Sequence, residues 1–188
     1  MNNIETKTRK MIYVALIGAM TFVIAKSTRF PIFPTAPFLK MEFGEVPLII
    51  LTAFTSWKYG LLALLVKQML SFTLTGTNIL SLTADFVACG TWLLAFDLLY
   101  KKSSKLWLSV ALGGILRMII AIPLNFIILP LQYGSNMAVI MSQLVYILPF
   151  NFLKSALDGV CFKVLYSKLV KPLQDSFKIF NFESEESL

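Results

Sequence analysis

Apolar residues in this chain come in long runs, and the breaks between the runs set the number of elements. Six runs stand between prolines, glycines and clustered lysines: MIYVALIGAMTFVIA, VPLIILTAFTSW, YGLLALLVKQMLSFTL, ILSLTADFVACGTWLLAFDLLY, LWLSVALGGILRMIIAIPLNFIIL and LPFNFLKSALDGVCFKVLYSKLV. They predict six membrane helices, over about 8–26, 45–57, 58–75, 79–100, 105–129 and 148–171. The second and third are short for a hydrocarbon core of ~30 Å, so they extend into their flanks or do not span fully. Residues 136–147, NMAVIMSQLVYI, are apolar but too few for a span and fit a re-entrant or surface helix better. Pro149 stands where a helix start tolerates proline, and Pro123 lies near the end of the fifth run.

One stretch fits no helix. Thr28–Pro47, TRFPIFPTAPFLKMEFGEVP, carries Pro31, Pro34, Pro37 and Pro47, which remove backbone donors and hold their predecessors extended. It is predicted as a loop over 27–44. Phe30, Ile32, Phe33, Phe38, Leu39, Met41 and Phe43 are too apolar for a loop moving freely in water, so part of it is expected to fold back as a lid. The alternative is a hydrophobic loop lying among lipid headgroups.

Composition sharpens this picture. The 188 residues are 57% hydrophobic and 14% charged, with mean hydropathy +0.75, whereas soluble domains carry about a quarter charged residues. The expected fold is therefore an all-α integral membrane protein, a compact six-helix bundle in a single domain over 1–188. A net charge of +7 would suggest nucleic acid, but the basic residues gather at the ends of apolar runs, as topology determinants do. With the N-terminus inside, Lys7, Arg9, Lys10, Lys58, Lys101, Lys102, Lys105, Lys163, Lys168, Lys171 and Lys178 face the cytoplasm and only Lys26, Arg29 and Lys40 face out. Both termini are then cytoplasmic and the proline loop is outside.

The first run has the charge order of a signal peptide, but it is long and lacks an A-x-A-like site before Lys26, so it reads as a retained span. The acidic tail ESEES reads as disordered. Cys89 and Cys161 have neither zinc-finger nor CxxC spacing and read as packing residues. There is no histidine, no phosphate loop, no metal-binding helix motif and no nucleophile elbow, so neither a catalytic residue nor a metal ligand is assigned.

Ionisable and amide side chains inside apolar runs are costly unless they face the bundle or a wet cavity, which makes them candidates for function. Lys67, Gln68, Asp85, Asn125, Asn151 and Lys154 all fall in the outer halves of their helices, and Asn151 and Lys154 share one helix face. Such a cluster beneath an apolar loop describes a pocket open to the outside. The structural alternative is interhelical hydrogen bonding with a Lys67–Asp85 ion pair. Deeper down, Arg117 and Asp158 lie at similar depth and are expected to neutralise each other. Ala15 and Ala19, one turn apart with Gly18 beside them, form a smooth strip for another membrane helix.

These features together resemble the substrate-binding S components of energy-coupling factor (ECF) vitamin transporters, most closely the riboflavin-specific RibU family. The resemblance rests on AxxxA at Ala15 and Ala19, on FPIFPTAPFLKMEFGEVPLII, which is similar to a proline-rich loop followed by F-[ML]-K-x-[DE]-F-x-x-[IV]-P, and on LPFNFLK, like LPFN-x-x-K. TADFVACG matches as well, except that relatives often carry Asn where this chain has Asp85. The resemblance implies that Leu39, Lys40, Met41, Glu42 and Phe43 lie over or beside an isoalloxazine, that Asn125, Asn151 and Lys154 supply polar contacts, and that Asp85 belongs to the same site. It implies riboflavin as transported ligand with no other cofactor, and as partners an EcfT-like membrane coupling subunit, meeting Ala15 and Ala19, and two cytoplasmic ATPases. The alternatives left open are an S component for another vitamin or for phosphorylated flavin, a membrane enzyme acting on lipid head groups, and a structural subunit without ligand.

Overall fold

A computed structural model of the chain describes residues 3–34, 39–103, 105–133 and 137–170. The protein is an all-α membrane bundle of six helices: α1 (Asn3–Ser27), α2 (Glu45–Phe54), α3 (Trp57–Thr75), α4 (Ile79–Ser103), α5 (Leu106–Tyr133) and α6 (Met137–Leu165), the last continued by a π-helical turn over Tyr166–Val170. Within α1, α4, α5 and α6, four segments are long and apolar enough to cross a bilayer. Side chains such as Leu16, Met69, Ile127 and Val145 stand exposed on the outside of the bundle, where lipid accepts them at no cost.

The ten residues of α2 rise only ~15 Å, and the helix is enclosed rather than peripheral. Glu45, Val46, Pro47, Leu48, Ile49 and Thr52 are all buried, and α2 touches α1, α3, α4 and α6. Around it α1 packs on α3, α3 on α4, α4 on α5 and α5 on α6. The tight turns have local causes. Gly76, at φ 57°, closes α3 in the left-handed conformation that glycine adopts without strain. Asn78 Oδ1 accepts the Leu80 N–H at 2.9 Å and caps α4. At the opposite end the Asp97 carboxylate accepts the Trp57 N–H at 3.2 Å, while Lys101 donates to the Thr55 carbonyl at 3.2 Å, which pins the α2–α3 turn to α4.

The proline segment folds back onto the bundle. Strands β1 (Phe30–Pro31) and β2 (Lys40–Met41) pair antiparallel, Phe30 opposite Met41, and the Phe43 N–H donates to Thr28 Oγ1 at 3.0 Å. Leu39 is buried with Ala121, Leu129, Ile147 and Phe150, and Ile32 and Phe33 pack on the same cluster, Phe33 5.7 Å from Tyr146 between ring centroids. Phe30 remains about half exposed; Phe38 lies outside the described residues. The loop re-enters the bundle at Gly44, where a Cβ would lie 2.6 Å from Ala25 Cβ and 2.8 Å from the Thr21 carbonyl oxygen, so only glycine fits.

The segment 136–147 is no separate re-entrant or surface helix: from Met137 onward it is the first part of α6, which runs unbroken through Pro149. Pro149 therefore sits inside the helix and not at its start. A proline costs a helix one backbone hydrogen bond, and membrane helices tolerate this where neighbouring helices and side chains re-satisfy the freed groups. The acidic tail lies outside the described residues.

Candidate functional site

The lid side of the bundle is built around Glu45, the first residue of α2, which is wholly enclosed. Arg117 from α5 meets it with a two-pronged contact, Nη1 to Oε2 at 2.5 Å and Nη2 to Oε1 at 3.0 Å. Lys154 Nζ from α6 reaches Glu45 Oε1 at 2.5 Å and stands 3.7 Å from Glu42 Oε1 of the loop. Glu42 accepts from Lys67 Nζ of α3 at 2.8 Å, and the same ammonium donates to Asp85 Oδ2 of α4 at 2.9 Å. Gln68 Nε2 donates to that same Asp85 oxygen at 2.8 Å. Arg117 Nε donates to Asn151 Oδ1 at 3.0 Å, and Asn151 Nδ2 in turn donates to the Ile147 carbonyl at 2.9 Å.

The cations of Lys67, Arg117 and Lys154 thus alternate with the carboxylates of Glu42, Glu45 and Asp85 in one contiguous, formally neutral chain. Desolvating six ions is tolerable only with this pairing, because each charge finds an opposite one at contact distance. For Glu42, burial alone would raise the carboxyl, but the ammonium groups of Lys67 and Lys154 outweigh it and hold it below its ordinary range.

Above this floor lies a cavity of about 400 Å³, within the size range of small-molecule sites. The loop contributes Arg29, Leu39, Lys40 and Glu42 to its lining, and Lys26 lines it from the last turn of α1. Gln68 and Ser71 line it from α3, Ser81 and Asp85 from α4, Arg117 and Asn125 from α5, and Phe150, Asn151 and Lys154 from α6. The lining thus combines apolar side chains such as Leu39 and Phe150 with charged groups and amides held in fixed positions.

Among the residues singled out from the sequence, the structure brings Leu39, Lys40, Glu42, Asp85, Asn125, Asn151 and Lys154 to this one cavity. Met41 and Phe43 are not in its lining. Alternation along β2 turns Lys40 outward and buries Met41 completely, and Phe43 is half-buried beside the Thr28 contact. The expected Lys67–Asp85 pair is present, and it lies in the wall of the cavity, so the structural and the pocket readings of that pair coincide.

The expected Arg117–Asp158 neutralisation does not occur: Arg117 is committed to Glu45, and neither oxygen of the enclosed Asp158 has a hydrogen-bond partner among the described residues. Bidentate geometry explains the choice, since the Arg117 fork matches a carboxylate presented end-on by α2. In the sequence Glu45 stands only at the start of the predicted span 45–57. Charge counting does not single it out, because Asp85, Asp97 and Asp158 already lie inside the apolar runs as candidate counter-ions for Lys67, Arg117 and Lys154. On α1, Ala15 is exposed and Ala19 half-buried, whereas Gly18 is buried against α3, where a Cβ would lie 2.7 Å from Val66 Cβ. Gly18 therefore belongs to the α1–α3 contact and not to the outward strip.

Comparison with known proteins bears on what the cavity holds. The family model for the ECF transporter, substrate-specific component, matches residues 9–166. The riboflavin transporter RibU of Streptococcus thermophilus is 28% identical over 182 residues, covering 89% of this chain and 86% of that protein. RibU of Staphylococcus aureus is 29% identical over 178 residues, covering 89% and 94%. The riboflavin transporter FmnP of Bacillus subtilis is 28% identical over 178 residues, covering 87% and 93%. A solved structure of the S component of a bacterial ECF transporter superposes with a TM-score of 0.77 at 26% identity, covering 89% of this chain and 99% of that one.

Proposed function

The chain belongs to the substrate-specific components of ECF transporters, and from that premise we propose that it is a riboflavin-binding subunit that captures the vitamin in the cavity under the 27–44 loop. The observation that carries this reading is the cavity of about 400 Å³ roofed by Leu39 and floored by a neutral ion network. Riboflavin is uncharged, so a floor whose charges cancel meets it without an uncompensated ion. Its ring offers an apolar face to Leu39 and Phe150, and its uracil-like edge alternates donors and acceptors, which the amides of Asn125 and Asn151 can match.

The excess of basic residues at one end of the bundle orients the cavity outward, with both termini in the cytoplasm of a bacterial cell. Transport work is supplied by partners, an EcfT-like membrane subunit meeting α1 at Ala15 and Ala19 and two cytoplasmic ATPases. The chain itself binds and does not catalyse.

Titration of the detergent-purified protein with riboflavin tests this reading. The expected result is saturable quenching of flavin fluorescence, and flavin that does not quench saturably removes the proposal. A phosphorylated flavin is a second reading, favoured by Lys26, Arg29 and Lys40 around the cavity. Competition between riboflavin and its phosphate ester decides between them.

A further inference from the structure

At the end of the bundle away from the lid, the junction of α4, α5 and α6 carries cations that no carboxylate offsets. Lys102 and Lys105 flank the α4–α5 turn, Lys163 stands in the last turn of α6, and all three are exposed. Lys163 Nζ lies over the Trp107 ring, 4.9 Å from its centroid, which ties the end of α6 to the start of α5. A ring face holds an ammonium without supplying an oxygen acceptor, so the N–H donors of Lys163 stay available. The carboxylates nearest in the chain are buried: Asp97 is occupied by Lys101 and the Trp57 N–H, and Asp158 is enclosed within the bundle. Among the described residues no carboxylate pairs with Lys105 or Lys163.

Beside these cations the same edge of the bundle is apolar. Trp107, Ala111 and Ile115 follow one another a turn apart on the exposed side of α5, and Val160 and Val164 flank Lys163 on α6, both about half exposed. The two helices meet closely here, because a Cβ on Gly159 would fall 2.4 Å from Val110 Cγ1. The apolar segments Leu106–Leu131 and Val145–Lys168 both end at this level, so the cations stand at the height of lipid headgroups and the apolar residues at that of acyl chains. Tryptophan and long basic side chains favour that level, the ring half in lipid and the ammonium toward water. We propose that this α5–α6 edge binds an anionic phospholipid, its phosphate held by Lys105 and Lys163, its glycerol region against Trp107 and an acyl chain along Ala111, Ile115 and Val160. A zwitterionic lipid brings a cation of its own, which these lysines repel. In the proposed orientation the lipid belongs to the cytoplasmic leaflet, and the site does not depend on what the cavity binds.

The test places the full chain in vesicles of equimolar phosphatidylcholine and phosphatidylglycerol with matched chains, one lipid or the other carrying bromine on its acyl chains. Bromine quenches tryptophan at contact, and the difference between wild type and Trp107→Phe isolates Trp107 from Trp57 and Trp92. A lysine near an anionic lipid implies a preference of about fivefold. Brominated phosphatidylglycerol should therefore be favoured at Trp107 by at least about fivefold, and Lys105→Gln combined with Lys163→Gln should bring the two lipids level, while Lys163→Arg keeps the preference. Equal quenching by the two lipids in the wild type, or a preference that survives loss of both lysines, overturns the site. Quenching by neither lipid also overturns it, since the edge is then covered by something other than lipid. A preference that inorganic phosphate abolishes makes this a site for free anions and removes the lipid. The wild-type comparison decides by itself if a variant folds poorly.

Discussion

The two ends of the bundle solve opposite problems. Away from the lid, Trp92, Phe96, Phe162, Leu64 and Leu93 are completely buried and pack into one cluster. Phe96 meets Phe162 edge-on at 5.7 Å and stacks on Tyr100 at 5.3 Å, and Phe162 leads on to Tyr166 at 5.5 Å. Under the lid, the same helices diverge around a cavity and hold six ions instead. Dispersion between rings is short-ranged and needs no partner of fixed polarity. In the ion network, removing a member that is its neighbour's main counter-ion leaves that neighbour charged and enclosed. The contrast suggests a rigid base that keeps the helices in register and a hollow end whose polar groups are set before a ligand arrives.

The largest effect should come from Glu45→Ala, which strands Arg117 and leaves Lys154 only its 3.7 Å contact with Glu42. It is expected to cost about 3–5 kcal/mol of stability and to abolish flavin binding at the same time, read by thermal denaturation and fluorescence titration. Phe96→Ala should cost a similar ~3–5 kcal/mol through the cavity it leaves, but the protein that remains folded should bind flavin with near wild-type affinity. If Phe96→Ala weakens binding as much as Glu45→Ala does, the two ends are not separable and the comparison fails.

Lys154→Met sharpens the comparison within the network. Arg117 still neutralises Glu45 in this variant, and Lys154 is engaged with Glu45 and Glu42, not with Asp158. The melting temperature should therefore change little, while affinity falls by roughly 1.5–3 kcal/mol, about ten- to a hundredfold, through loss of a charged donor. A large drop in melting temperature with unchanged affinity would make Lys154 a purely structural member.

The smallest effect on the isolated protein is expected for Ala15→Trp, on the exposed side of α1. Stability should stay within about 0.5 kcal/mol and flavin binding should be unchanged. Cellular riboflavin uptake should nevertheless be lost, because the ring blocks approach of a partner helix. Uptake that persists would remove the coupling surface, and binding lost in the purified variant would place Ala15 inside the fold.

Much of this molecule was legible before any coordinates. Long apolar runs can only be satisfied in lipid as helices, so the class of fold and the helical course of α4 and α5 follow from hydropathy and backbone hydrogen bonding alone. Pro31, Pro34 and Pro37 argue against a helix there, and the apolar residues among them imply a loop that folds back, as Leu39 and Phe33 do, whereas Pro47 falls in the first turn of α2, where a helix tolerates proline. Polar residues inside apolar runs also pointed to one end of the bundle, and Asp85, Asn125, Asn151 and Lys154 all line the cavity found there.

Partner choice was decided only by the tertiary structure. Depth along a helix can be counted from the chain, but rotation about its axis and the crossing of neighbours cannot, so depth alone pairs Arg117 with Asp158 while the fold offers it Glu45. The same limit hid the continuity of α6 through Pro149, since a proline's effect depends on what surrounds the carbonyl it frees. It also hid that Lys67 and Gln68 converge on one carboxylate oxygen of Asp85. A sequence specifies which groups must be compensated in a low-dielectric interior; the packing of six helices decides which group does the compensating.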